Sequence, residues 1–222
     1  KIVPQMNVML GETVFEAIER LCRFSAMLVY DQPDGNIVLA QVGSGAMASG
    51  LTEGQNVQGG SVSLSMAERF SEYVVSQLSM DVLGDAGDGG LITETVYDKG
   101  VPRKRVRYVI VESGDAGGDI AKLRAQWEAA RRYGRSQIAH VVADSWRDAA
   151  GALWSPNMLA SLQLPTLRIA SARWVIASVT YRRGPGGSTA ELELMPPKAF
   201  AVEPVLAPWE AGLMDVPAGV AP

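Results

Sequence analysis

Thiol, metal and histidine chemistry have almost no material in this 222-residue chain, which contains one cysteine, Cys22, and one histidine, His140. A lone cysteine cannot close an internal disulfide, and a lone histidine supplies neither a His-rich zinc site nor a histidine pair. Long apolar runs are also missing. No stretch approaches the roughly 20 apolar residues of a membrane-spanning helix, so no membrane insertion is expected. Residues 1–10 lack the apolar region of a signal peptide and an initiator Met. The chain therefore reads as made in the cytoplasm and incomplete at its N-terminus. Positive charge is not in excess either, with Lys+Arg 20 against Asp+Glu 24 and a formal net charge of -4. Sequence-wide binding to nucleic acid or anionic lipid is disfavoured. Neither a phosphate loop nor a glycine-rich dinucleotide fingerprint occurs between a strand and a helix, so no cofactor is expected.

What the chain does have is a globular balance, 47% hydrophobic and 20% charged, with 23 Gly and 12 Pro that favour turns over long helices. Thr13-Val14-Phe15-Glu16 is a capping box, and Val14, Ile18, Leu21 and Cys22 follow at helical spacing, predicting a helix over 13–24. Two short apolar runs, 27–30 and 36–40, flank Pro33-Asp34-Gly35, which predicts a β-hairpin. From Gly59 onward Val62, Leu64 and Met66 alternate with Ser61, Ser63 and Ser65, the pattern of a half-buried strand. Further strands are predicted at 73–78, 106–111 and 137–142, with a loop at 81–90. A second helix is predicted from Asp119 as N-cap to Gly134 as terminator, with Ile120, Leu123, Trp127 and Ala130 on its inner face. A long hairpin, 174–181 and 190–195, turns at 184–187 and alternates Ala190, Leu192 and Leu194 with Glu191 and Glu193.

Candidate sites carry bland readings at least as well as chemical ones. His140 shares a strand face with Ile138 and Val142, which reads as core or interface rather than as part of a triad. Cys22 reads as a buried small hydrophobe. Glu191 and Glu193 share a strand face and resemble a glycosidase carboxylate pair only in type, so a solvated face is the reading. Asp81, Asp85 and Asp88 lack the spacing of a calcium loop. Arg103, Lys104, Arg105 and Arg107, with Arg182 and Arg183, read as charged strand edges that resist unwanted pairing. Trp146 and Trp154 flank a loop of the kind that anchors protein interfaces.

Four segments carry a family resemblance: Gly11 to Ile18 with the hairpin to Leu39, Glu68 to Tyr73, Ala129 to Ser136, and Trp146-Arg147-Asp148 with Gly151 to Asn157. In this order, across about residues 8–202, the chain resembles the Mu-like phage baseplate hub proteins of the gpP type. The resemblance implies a non-enzymatic homotrimer in the tail baseplate of the virion. Its ring would join the tail tube protein to the central spike protein of a contractile tail, meet other baseplate proteins, and pass DNA only as cargo. It also implies an N-terminal tube domain ahead of the matched region. The expected fold is α+β: a small helix plus β-hairpin module over 1–58, a mostly antiparallel β-barrel tube-like domain with one flanking helix over 59–202, and a Pro-rich tail over 203–222. Interface residues would include Trp146, Asp148, Leu153, Trp154 and Asn157. Two other readings are the hub of a phage-derived injection particle and a cell-wall-binding or lytic module.

Overall fold

The first helix begins where its capping box says it should. The computed structural model describes residues 6–78, 91–111, 117–185 and 187–205, and in it α1 spans Val14–Phe24. The Glu16 N–H donates to Thr13 Oγ1 at 3.3 Å, and the Thr13 N–H donates back to the Glu16 carboxylate at 2.7 Å. Backbone and side-chain hydrogen bonds from Thr13 hold the Glu16 carboxyl below its ordinary range. Cys22 is the buried residue of α1, and burial first, then the charge of Glu19, pushes its thiol up. It packs as a hydrophobe, as read from the sequence. Strands β1 (Leu28–Asp31) and β2 (Ile37–Ala40) pair antiparallel, and the turn between them is closed by Asp34 Oδ1 accepting the Asn36 N–H at 3.0 Å. Gly35 there takes φ +85°, a conformation that glycine adopts without steric cost.

Two compact units interleave along the chain: residues 1–40, 70–129 and 202–222 form one, and residues 41–69 and 130–201 the other. The contiguous blocks drawn from the sequence divide the chain at residue 58, inside a strand that spans Val57–Leu64.

In the first unit, β6 (Glu72–Leu78) lies between β7 (Leu91–Tyr97), antiparallel to it, and β8 (Val106–Val111), parallel to it. The parallel pair was not signalled by the sequence. Helix α2 (Gly117–Arg135) covers one face of this sheet through Ala121 and Ala125, which pack with Val75, Val96, Val109 and Val111. Two differences from the predicted helix follow. It starts at Gly117, so Asp119 lies within its first turn rather than at the N-cap, and Leu123 is half exposed while Ala121 and Ala125 are fully buried. Small side chains let the helix approach the sheet closely, which a search for large apolar residues does not find. The 81–90 loop lies outside the described residues.

The second unit is a seven-stranded sheet. Besides β5 (Val57–Leu64) it contains β3 (Gly45–Ala46), β4 (Leu51–Thr52), β9 (Gln137–Ala143), β10 (Met158–Leu164), β11 (Ile169–Gly184) and β12 (Gly187–Met195). The strand order is β3-β10-β11-β12-β9-β5, with β4 also on β10. Its ladders are antiparallel except those of β3 and β4 with β10. The architecture is thus mostly β with two helices, an α+β fold, and among the described residues no pairing closes the sheet into a barrel. Ala139, Val141, Ala143, Ala160, Leu162, Leu164, Trp174, Ile176, Leu192 and Leu194 build the core on one face. The long hairpin stands as the alternation predicts. Strand β5 fits its pattern less well: Val62 packs on the core, but Leu64 and Met66 are exposed.

Gly134 does not terminate α2, which runs one residue past it. Its lack of a side chain serves a close approach: a Cβ there would fall 2.7 Å from Ala199 Cα and 2.8 Å from the Lys198 carbonyl carbon. Gly134→Ala is therefore expected to destabilise by about 1–3 kcal/mol through overpacking, although alanine is the better helix former. A thermal melt checks this, with Gly184→Ala, whose Cβ meets nothing within 4 Å, expected to leave the midpoint nearly unchanged.

Candidate functional site

The loop joining β9 to β10 holds all five predicted interface residues and is pinned by polar groups in its own interior. Asp148 is buried, and its carboxylate accepts the N–H groups of Ala48 at 2.9 Å, Ala150 at 3.0 Å and Ala152 at 2.9 Å. Burial alone would push its pKa up, but hydrogen bonds from the backbones of Ala152, Ala48, Ala150 and Ser49 outweigh this and hold it below its ordinary value. The Trp154 indole, 1% exposed, donates to the Ser145 carbonyl at 3.1 Å, and the Tyr181 hydroxyl donates to the Trp154 carbonyl. Asn157 adopts φ +62°, which asparagine tolerates better than most residues. Its Oδ1 accepts the Gly43 N–H at 2.8 Å and its Nδ2 donates to the Gln41 carbonyl at 3.0 Å.

Asp148, Trp154 and Asn157 are thus buried inside the unit, and Asp148 and Asn157 fasten residues 41–49 to residues 148–157. Trp146 is half-buried, with its indole N–H donating to the Arg182 carbonyl at 2.9 Å and its ring edge-on to Tyr181 at 5.8 Å. Leu153 is 41% exposed. These last two are the residues of the predicted set with surface to offer.

The opposite, wet face of the sheet carries a trough of about 430 Å³. Register brings together what the sequence scatters: His140 on β9 stands between Ser61 on β5 and Glu193 on β12, and Glu193 stands beside Ser178 on β11. Thr180 and Glu191 form the next row. His140 is exposed here, so the core reading of its face is corrected: the dry side of β9 belongs to Ala139, Val141 and Ala143. Two β-branched or aliphatic neighbours, Ile138 and Val142, made the wrong face look apolar. Glu191 is held by Arg182, whose Nε lies 2.5 Å from its Oε1, so it is an ion-paired rim residue. Ser178 and Thr180 went unremarked in the sequence, and only the alternation of β11 could have found them. Among the described residues no group of three or more His, Cys, Asp or Glu converges as a metal site, and no helix is long and apolar enough to cross a membrane. The acidic trio at 81–88 lies outside the described residues.

The polar residues of the second unit thus serve two arrangements, the internal pins of the β9–β10 loop and a hydroxyl-rich wall on the wet face. The proteins the chain is similar to are phage tail proteins. Residues 117–203 match the model of the fourth domain of the Mu phage baseplate assembly protein GpP, and residues 1–41 match that of the second domain of gp44-like baseplate hub proteins. The chain is 28% identical over 198 residues to the baseplate hub protein gp44 of Escherichia phage Mu, covering 86% of this chain and 52% of that protein. It thus spans about half the length of the curated relative it matches. In fold it is similar to the 43 kDa tail protein of prophage MuSo2 from Shewanella oneidensis, with a TM-score of 0.71 and 24% identity over 89% of this chain and 57% of that one. A tail protein from Neisseria meningitidis MC58 is similar at a TM-score of 0.65 and 18% identity, over 88% and 60% of the two chains. The chain is thus similar, in two separate segments, to domains of Mu-type baseplate proteins, in line with the sequence resemblance.

Replacing Asp148 tests the pin. Asp148→Asn substitutes an amide, itself partly a donor, for a carboxylate that accepts several N–H groups, and is expected to destabilise by about 1–3 kcal/mol at pH 7. Because the folded pKa lies below the ordinary 3.8, the stability this carboxylate supplies is complete above that value and is lost as pH falls through the folded pKa. Chemical denaturation from pH 7 down to pH 3 is expected to show the gap between parent and variant narrowing at the acid end.

Proposed function

We infer that the chain is a structural subunit of the baseplate hub in the virion of a contractile-tailed, Mu-like phage, where a homotrimeric ring joins the tail tube to the central spike and passes DNA. The observation that carries this reading is the two-faced sheet of the second unit. One face is dry and packed. The other presents Ser61, His140, Ser178, Thr180, Glu191 and Glu193, three hydroxyls, two carboxylates and one imidazole that give a passing polyanion little to adhere to. The tube-like wall expected over 59–202 would be furnished by this sheet, curling toward a barrel as neighbouring copies meet. The matched hub domains and the name of the Mu relative support a place in the baseplate beside other tail proteins. Trp146 and Leu153, at the surface of the pinned loop, are the residues of that loop proposed to touch a partner.

The role proposed is one of shape and symmetry, without a reaction. The lytic reading draws on Glu191 and Glu193, but Glu191 is tied in an ion pair with Arg182 at the rim of the trough. The test is the mass in solution. Sedimentation of the purified protein at high concentration is expected to give a trimer, and a strictly monomeric mass there would sink the proposal. Clearing of a cell-wall suspension that disappears in Glu191→Gln would count for the lytic module instead.

A further inference from the structure

The three-stranded sheet of the first unit ends, among the described residues, on two unpaired strands, β7 and β8. An unpaired edge is a ready template for another strand unless the sequence defends it. The two edges differ in charge. Strand β8 is entered through Arg103, Lys104 and Arg105 and carries Arg107, whereas β7 carries Glu94 and is followed by Asp98. Lys104 lies 3.7 Å from Glu72 and Arg105 stacks on Phe70 at 4.8 Å, but among the described residues neither Arg107 nor Glu94 has an ion-pair partner.

Polarity fits as well. Because β7 runs antiparallel to β6 and β8 parallel to it, a rotation about an axis along the strands brings β8 of one copy against β7 of the next in antiparallel sense. This is a head-to-tail contact of the kind that closes rings.

We propose that β8 of one copy and β7 of the next form this ladder, with Arg107 opposite the neighbour's Glu94. The inference rests on the ring reading above and names the strands that make it. Side-chain parity selects the register. Arg107, Val109 and Val111 face the helix side, as do Ile92, Glu94 and Val96, so registers that keep the faces matched differ by two residues. Setting Arg107 against Glu94 sets Val109 against Ile92 on the same face. On the other face it sets Tyr108 against Thr93, and Ile110, 86% exposed, against Leu91, 61% exposed. Sliding by two so that the rows of β6 continue straight across would set Val109 against Glu94 and Arg107 against Val96. The first register covers the exposed apolar residues and pairs the charges in one step.

The test is a charge exchange in the full chain, followed by sedimentation. Arg107→Glu and Glu94→Arg, each alone, are expected to weaken association about tenfold or more, and the double exchange to restore it. A second measurement does not depend on surface charge. A 1:1 mixture of Val109→Cys and Ile92→Cys chains is expected to oxidise to a mixed disulfide dimer, with buried Cys22 as the internal control. If the parent is trimeric while the charge variants keep its mass and no mixed dimer forms, the ladder is overturned and the ring reading stands. If Arg107→Glu strengthens association, Arg107 is a guard against pairing and the ladder is likewise overturned. A monomeric parent overturns both.

Discussion

A sheet that is dry on one side and wet on the other forbids a one-residue slip of its strands, and this constraint governs the second unit. Ala139, Val141 and Ala143 on β9 line up with Leu192 and Leu194 on β12 and with Trp174 and Ile176 on β11. A slip of one residue in β12 would drive Glu191 and Glu193 into the core and put Leu192 and Leu194 in water. Each apolar side chain so displaced forfeits about 1.5–3 kcal/mol, and a carboxylate buried without a partner costs more. Irregularities in the ladders are absorbed without breaking this division: the register shifts between Ile176 and Ser178 and between Leu162 and Leu164 still leave the apolar residues on the packed side.

The first unit solves a smaller problem by different means. Three strands and a helix offer little area, so the helix is brought close by Ala121 and Ala125 over Val75. The opposite face of the sheet, with Tyr108 and Ile110 among its residues, stays open. Burial is thus concentrated on the helix side of the sheet, where Tyr73 and Val75 are fully covered, while Tyr108 and Ile110 stand outside.

Legibility in the sequence followed local determinism. The Thr13-Glu16 box, the Pro33-Asp34-Gly35 turn and the alternation over 190–195 are each set by neighbours within a few residues, and each was readable. The pattern failed where the deciding partner is distant. Gly134 looked like a helix stop because nothing nearby reveals Ala199 pressing on it. His140 looked internal because, apart from Gln137 at its start, every other position of its strand is apolar, and the choice between its faces is made by β5 and β12. The parallel pairing of β6 with β8, and the two-residue strands β3 and β4 on β10, have no local signal at all. Of the predicted interface loop, position and aromatic content were legible. That most of it turns inward was not, since the groups it satisfies lie about a hundred residues earlier.

The segment Trp146 to Asn157 is held to narrow residue types by groups far earlier in the chain. Residues 41–49 contribute only a two-residue strand to the ladder, so their N–H and C=O groups need partners from elsewhere. Asp148 takes the Ala48 N–H, and Asn157 takes the Gly43 N–H and the Gln41 carbonyl. Each of these roles has narrow requirements. Asp148 must present an acceptor on both oxygens. Asn157 must offer an acceptor and a donor at once while holding a left-handed backbone, a combination that few other side chains supply. A segment under such restrictions tolerates few residue types for reasons of folding alone.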